Sequence, residues 1–268
     1  MLKDITLGQY FPGTSIIHRL DPRTKLLSLI LYIVALFTAK GWIAYGLMLV
    51  FLVTVIAVST IRPKAIFRGL KPIVIIVVFT AVLNLFLTDG ETVLASFWWF
   101  TITKEGLIQA IYMVSRIIML IVGTFLLTYT TSPIALTDGL ESLLNPLKTL
   151  HFPVHEMSMM MCIALRFIPT LIEETDKIMA AQKARGADFS SGSLIQRAKA
   201  LVPILVPLFI SAFRRADELA TAMECRCYQG GEGRTKLKIL KFAARDYIAL
   251  AIGAGLVAAM ILLKAFGL

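Results

Sequence analysis

Long apolar runs alternate with short polar interruptions along most of this 268-residue chain. A helix that crosses the hydrocarbon core of a bilayer needs ~20 predominantly apolar residues. The pattern therefore predicts an all-α integral membrane protein with about five transmembrane helices, the first of which is short. The runs lie at about 26–39, 42–61, 73–87, 107–129 and 247–263.

One long interval, residues 130–241, interrupts this series of spans. It is too long for an ordinary loop and too apolar for a disordered segment. Its apolar residues recur at helical spacing, and its charges are too frequent for a span, so we expect long amphipathic helices along or under the membrane. The predicted domains are a four-span membrane domain (1–129), this helical module (130–241) and a C-terminal transmembrane helix (242–268).

Composition agrees with a membrane protein and predicts its orientation. The chain is 57% hydrophobic and 16% charged, whereas a soluble domain carries about 25% charged residues. Basic residues collect before span one, between spans two and three, and after span four, which predicts a cytoplasmic N-terminus and a cytoplasmic helical module. This distribution accounts for the net charge of +10 without a nucleic acid partner. The three cysteines fit a reducing compartment.

Two triplets share one pattern, an arginine between small residues at the end of a helical stretch. They are Ala184-Arg185-Gly186 and Cys225-Arg226-Cys227. A shift of 41 residues superposes them without gaps and also places Asp176 on Asp217. Small neighbours leave the guanidinium fork unobstructed, and the fork suits carboxylate recognition. The triplets are therefore candidate contacts with two similar sockets on cytoplasmic partners; local i,i+4 pairing on a solvated helix is the alternative.

Apolar side chains of the same module form a second candidate surface. Met157, Met160 and Met161 lie in its first long helical stretch, and methionine adapts to partners of different shape. Leu205 and Phe209 lie in the second stretch, within a run apolar enough to contact lipid or another membrane protein. The alternative for the methionines is a core helix that happens to use them.

Catalytic and metal-binding chemistry is not expected from this chain. It has no Gly-x-x-x-x-Gly-Lys-Ser/Thr motif, so it does not bind ATP through a P-loop. The Cys225 and Cys227 pair, with His151 and His155 elsewhere, does not supply the three or four ligands of a metal site. The histidines do not assemble an obvious enzyme site either.

The segment Leu20–Leu26, which reads Leu-Asp-Pro-Arg-Thr-Lys-Leu, predicts a helix start. Asp21 is a suitable N-cap, and Pro22 fits the first helical position. An anchor of basic residues at the cytoplasmic surface is the functional alternative.

Arg116 falls inside the fourth span, where a charged side chain is costly and normally faces a partner or a watery cleft. Asn84, Asp89 and Glu105 are the candidate partners. A solute pathway is the competing interpretation and would make the chain a stand-alone carrier. Structural pairing is favoured, because one arginine and one asparagine are few polar groups for such a pathway.

In combination, these motifs resemble one family. Leu165–Leu171, the first triplet, Ala222–Tyr228 and Leu20–Leu26 are similar to the signatures of the transmembrane coupling subunit, or T component (EcfT), of energy-coupling factor transporters. The resemblance covers nearly the whole chain. It implies a multi-pass protein of a prokaryotic plasma membrane, acting as a non-catalytic subunit of an ABC-type importer of vitamins or other micronutrients.

The resemblance also implies partners. In that family two cytoplasmic ABC ATPase subunits (EcfA and EcfA′ type) use ATP and magnesium, and an integral-membrane S component captures the substrate. The T component binds no cofactor itself and links these subunits within the lipid bilayer. A dedicated subunit of a cobalt or nickel importer shares the fold and stays open as the alternative.

The family's site residues transfer to both triplets, which would end coupling helices and each dock on one ATPase. The first triplet matches the family motif in full. In the second, Arg226 matches, Cys227 is a small variant, and Cys225 stands where the family has alanine. The S component would rest on the apolar faces that contain Met157, Met160, Met161, Leu205 and Phe209.

Overall fold

The computed structural model describes residues 10–87, 93–97, 100–150, 152–187, 189, 193–230 and 240–266. The predicted all-α fold is confirmed, with a short antiparallel hairpin and a 3-10 turn (Asn145–Leu150) as additions. In chain order the elements are α1 (Pro22–Thr38), α2 (Gly41–Ser59), α3 (Pro63–Leu70), α4 (Val74–Leu87), β1 (Val93–Phe97), β2 (Phe100–Thr103), α5 (Lys104–Thr130), α6 (Pro133–Leu144), α7 (Val154–Ala184), α8 (Leu194–Glu224) and α9 (Ala244–Ala265).

The chain forms two compact units. The membrane unit comprises Gly8–Ser142 and Leu240–Leu268, and the long-helix unit contains Leu143–Ile239 with α7 and α8. Most of α6 belongs to the membrane unit, because a Cβ atom on Gly139 would lie 2.9 Å from the Cβ atom of Pro22. The predicted module, by contrast, begins at residue 130.

Fewer helices have the length of a membrane span than the sequence predicts. Among the described residues α2, α5 and α9 are long and apolar enough to cross a membrane. A fourth crossing is available if α3 and α4, bent by 61°, form one span. The first and third predicted spans correspond to α1, which has 17 residues, and α4, which has 14; α1 lies at the lower end of the length range for a membrane span, and α4 lies below it.

The core of the membrane unit forms where α1, α2, α5 and α9 pack together, and α5 also contacts α3 and α4. The hydroxyl of Tyr32 on α1 donates to the carbonyl of Met119 on α5 at 3.0 Å. One turn later, a Cβ atom on Gly123 would lie only 2.6 Å from the Tyr32 ring. Glycine at this position therefore allows the two helices to approach closely.

Arg116 contacts a partner that is not among the candidates predicted from the sequence. Its Nε donates to the hydroxyl of Tyr45 at 3.0 Å, and its guanidinium lies 5.7 Å from the centre of the Phe37 ring. The Asn84 side chain donates instead to the carbonyl of Thr80, one turn earlier on its own helix. Another predicted partner, Asp89, lies outside the described residues.

A buried polar cluster joins three helix ends of the membrane unit. Asp246, which is 2% exposed, accepts hydrogen bonds from the backbone N–H groups of Asp21 and Ala243, both at 2.8 Å. The buried Lys25 donates from Nζ to the carbonyl of Thr130 at 2.8 Å. The cluster therefore connects the starts of α1 and α9 to the end of α5.

The predicted helix start at Leu20–Leu26 is confirmed within this cluster. Asp21 accepts a hydrogen bond from the N–H of Arg23 at 2.9 Å as the N-cap of α1, and Pro22 occupies the first turn. The guanidinium of Arg23 also donates to the carbonyl of Leu240 at 3.2 Å and lies 5.2 Å from the centre of the Phe242 ring. Arg23 thus binds the segment that precedes α9, at the same end of the membrane unit as the polar cluster.

We expect Asp246→Ala to destabilise the membrane unit strongly, because it leaves the buried N–H groups of Asp21 and Ala243 without acceptors. The expected cost is about 2–4 kcal/mol. The measurement is the midpoint of thermal unfolding in detergent, with Asp217→Ala, which removes an exposed carboxylate, as the control. Equal midpoints for the two variants would contradict this role for the cluster.

Candidate functional site

The first triplet forms a specific helix-ending turn. Gly186 adopts φ +88°, its N–H donates to the carbonyl of Lys183, and the N–H of Ala187 donates to the carbonyl of Gln182, both at 3.0 Å. These paired bonds define a Schellman motif, which commonly ends a helix with glycine at positive φ. Arg185 therefore occupies the residue immediately before the left-handed position.

The second triplet forms the same turn at the end of α8. Cys227 adopts φ +57°, its N–H donates to the carbonyl of Glu224 at 2.8 Å, and the N–H of Tyr228 donates to the carbonyl of Met223 at 3.1 Å. Arg226 again immediately precedes the left-handed residue. A non-glycine residue in this conformation costs about 1 kcal/mol, so the second turn is strained where the first is not.

Both arginines are exposed, as are the other four residues of the triplets. Among the residues that the structure describes, neither the Arg185 nor the Arg226 side chain makes a hydrogen bond or an ion pair. Local i,i+4 pairing, the alternative explanation for the triplets, is thus not observed in this part of the chain. Both guanidinium groups are available to a partner.

Among the described residues of the long-helix unit, an ion pair joins α7 to α8. Arg215 on α8 donates to Glu174 on α7 at 2.6 Å. This hydrogen bond lowers the pKa of the Glu174 carboxyl below its usual value. Because the pKa is lowered, the stabilisation is present at neutral pH and is lost as the pH falls through the lowered pKa.

A second contact between the helices uses a carbonyl that a proline leaves free. Pro207 has no N–H to donate to the carbonyl of Pro203, four residues earlier. The side-chain amide of Gln182, near the end of α7, donates to this carbonyl at 3.4 Å. Gln182 therefore links the helix that carries the first triplet to the proline-containing part of α8.

These two contacts define the geometry of the pair. Going from Glu174 to Gln182 along α7, the contact partner on α8 moves backwards from Arg215 to Pro203, so the helices run antiparallel. The first triplet begins two residues after Gln182, whereas Arg226 lies twenty-three residues beyond Pro203, or about 35 Å along a helix. The two arginine turns thus lie at opposite ends of the pair.

The apolar residues predicted to bind a partner lie in two separate places, one on α8 and one on α7. Leu205 and Phe209 are 46% and 61% exposed and belong to a continuous stripe on α8, most of which lies between its two contacts with α7. The stripe recurs with helical spacing and consists of Leu201, Val202, Leu205, Val206, Phe209, Ile210 and Phe213. Because these large apolar side chains are exposed together, the stripe is a candidate partner or lipid surface.

The methionines lie apart from this stripe. Met160 and Met161 are 58% and 40% exposed, and Met157 is half-buried. Met160 precedes Glu174 by fourteen residues, about 21 Å along α7. The exposed methionines are not core residues, and they do not form one patch with Leu205 and Phe209.

The residues considered for metal binding do not come together in the described ranges. No group of three His, Cys, Asp or Glu side chains there could hold a metal ion. Cys225 and Cys227 are exposed free thiols. His151 lies outside the described residues.

Two features of the site were missed from the sequence. The positive φ of Cys227 was missed because cysteine does not favour this conformation. The alignment of Cys227 with Gly186 is the sequence feature from which it could have been predicted. The contact of Gln182 was detectable in principle, because Pro207 leaves the carbonyl of Pro203 without its helical donor. The identity of the new donor depends on the packing of α7 against α8.

Comparison with known proteins agrees with this architecture. The model of the CbiQ family, described as cobalt transport protein, matches residues 13–237. The chain is 59% identical over 250 residues to an energy-coupling factor transporter transmembrane protein EcfT of Clostridium kluyveri, covering 93% of each chain. It is 58% identical to the EcfT of Thermosediminibacter oceani (96% of each chain) and 50% identical to that of Bacillus subtilis (92% of this chain, 93% of the relative).

The fold and these matches define an α-helical transmembrane component of a transporter. The chain belongs to the CbiQ family and, within it, to the energy-coupling factor transporter transmembrane proteins EcfT. The predicted family is thereby confirmed.

We expect opposite effects from two substitutions at the positive-φ residues. Gly186→Ala should destabilise the end of α7 by about 1 kcal/mol; no atom lies within 4 Å of the added Cβ, so the cost is conformational. Cys227→Gly should relieve the same strain at the end of α8. Amide hydrogen exchange of Ala187 and Tyr228, whose N–H groups close the turns, measures both effects. Slower exchange of Ala187 in Gly186→Ala would contradict the assignment.

Proposed function

We propose that this chain couples two cytoplasmic ATPase subunits, through Arg185 and Arg226, to a substrate-capturing S component in the membrane. One observation carries the proposal: both triplets form the same helix-ending turn and present an exposed arginine, and neither arginine has a partner among the described residues. Equivalent turns at opposite ends of one helix pair suit two homologous partners.

The chemistry of each contact follows from the turn. The Schellman bonds satisfy the last backbone carbonyls of the helix, so the turn is rigid without help from a partner. Ala184 and Gly186, like Cys225 and Cys227, are small and leave space around the arginine. A guanidinium in that position favours a groove that offers carboxylates or backbone carbonyls.

Motion of the ATPases would be transmitted to the apolar stripe by the antiparallel helices α7 and α8. When the two ATPases close on ATP and magnesium, the grooves that hold Arg185 and Arg226 approach each other. Rigid helices pinned at opposite ends then change their crossing angle. Leu205 and Phe209 of the stripe lie between the two contacts of α7 with α8, where such a change alters the surface offered to an S component.

The orientation and compartment belong to the same proposal. Arg19, Arg23, Arg62 and Arg68 lie near the ends of α1 and α2 that face the polar cluster, and basic residues favour the cytoplasmic side. We infer a multi-pass protein of a prokaryotic plasma membrane, with its N-terminus and long-helix unit in the cytoplasm. The chain binds no cofactor or metal itself, and ATP and magnesium belong to the partner ATPases.

Uptake of vitamins or other micronutrients is the proposed outcome, with the substrate chosen by the S component. A dedicated cobalt importer is a second candidate, because the matching family model is described as cobalt transport protein. A stand-alone carrier is less well supported, since Arg116 is engaged by Tyr45 rather than lining an open polar path.

Co-purification with the host's EcfA and EcfA′ subunits tests the arginines. We expect the Arg185→Glu, Arg226→Glu double variant to lose both ATPases, because each reversal places a carboxylate against a groove shaped for a cation. Arg214→Glu is the matched control: it reverses an exposed arginine of α8 outside the triplets. Equal ATPase recovery with the double variant and the control would remove the arginines from this role.

Capture of the S component tests the apolar stripe separately. We expect Leu205→Glu to reduce S-component recovery at least tenfold while ATPase recovery stays unchanged, because a carboxylate in an apolar interface loses hydration without gaining a partner. Arg214→Glu, at an exposed position of the same helix that is not one of the stripe residues, again serves as the control. Met160→Glu shows whether the methionine surface takes part. Undiminished capture by Leu205→Glu would exclude the stripe as the contact.

A further inference from the structure

A cavity of about 430 Å³ opens in the membrane unit, between the segment before α1, the end of α2 and α3. Its lining includes Phe11, His18, Ile61, Arg62, Lys64 and Arg68. Among the described residues, no carboxylate lines it. The cavity is thus a basic pocket, separate from both arginine turns.

The three cations of this cavity have no partner in the described part of the chain. The side chains of Arg62, Lys64 and Arg68 make no hydrogen bond or ion pair there. Lys64 and Arg68 are four residues apart on α3 and therefore lie on one side of the helix. His18 is already engaged, since its ring nitrogens contact the Ser15 hydroxyl at 2.6 Å and the Phe11 carbonyl at 3.0 Å. Within the described part of the chain, the pocket therefore holds three positive charges without a neighbouring carboxylate.

The surroundings of the pocket are those of a membrane surface. Helix α3 buries Ile66 but leaves Phe67 72% exposed, and α4 continues at 61° to α3 with Ile75 77% exposed. A short helix with basic residues beside an exposed aromatic side chain is typical of the layer between headgroups and acyl chains. The basic pocket and the apolar surface therefore adjoin.

We propose that this cavity binds the phosphate group of an anionic phospholipid. Arg62, Lys64 and Arg68 supply the donors and the positive charge, and the acyl chains of the lipid lie along Phe67 and α4. The apolar surface favours a lipid over soluble phosphate, which would use only the cations. A zwitterionic lipid carries a positive group into the same basic pocket and is disfavoured.

Native mass spectrometry of the purified full-length chain with phosphatidylglycerol or phosphatidylcholine tests the site. We expect the native chain to retain phosphatidylglycerol preferentially and the Arg62→Gln, Arg68→Gln variant to bind it about tenfold more weakly. The matched control is Arg19→Gln, Lys71→Gln, which removes two exposed charges from the same end of the membrane unit but outside the cavity. It should bind like the native chain.

Three outcomes would overturn the proposal. Equal losses in both double variants would indicate general attraction to charge, and equal retention of the two lipids would exclude an anionic site. The third concerns the source of the phosphate. If inorganic phosphate raises the unfolding temperature of the delipidated chain as much as phosphatidylglycerol does, the ligand is soluble phosphate. The Arg62→Lys, Arg68→Lys variant, which keeps both charges, should restore lipid binding and separates charge from any folding defect.

Discussion

The polar cluster around Asp246 is the constraint on which the arrangement of the membrane unit depends. A helix end that is removed from water must find donors and acceptors for its backbone groups. Asp246 supplies two acceptors and Lys25 one donor, so the starts of α1 and α9 and the end of α5 meet at one place.

The part of this polar cluster that lies at the start of α1 could be predicted from neighbouring residues in the sequence. The cap of Asp21 and the position of Pro22 follow from the chemistry of adjacent residues, and the apolar runs indicated the helices of the membrane unit. The contribution of Asp246 could not be predicted, because 225 residues separate it from Asp21 and their contact requires α1 to pack beside α9. The tyrosine partner of Arg116 could not be predicted from the sequence either, because Tyr45 lies 71 residues away and their contact requires α2 to pack beside α5.

The candidate functional site likewise combines features that the sequence predicts with features that depend on helix packing. A repeated triplet can be found by aligning the sequence with itself, and helix-ending glycine is a known signal at Gly186. The distance between the two arginine turns could not be predicted from such an alignment. It depends on the antiparallel crossing of α7 and α8, which is fixed by Glu174, Arg215 and Gln182. The crossing also separates the methionines from Leu205, two groups that the sequence had assigned to one surface.

The bend between α3 and α4 has a consequence for the surrounding lipid. The fourteen residues of α4 extend only about 21 Å, some 9 Å less than the hydrocarbon thickness of a typical bilayer. Lipids beside a short apolar helix shorten or tilt to match it, at a cost of fractions of a kcal/mol per Å. A helix of this length that crosses the bilayer by itself would favour a thinner membrane beside it, whereas α3 and α4 crossing together as one bent span would reduce this mismatch.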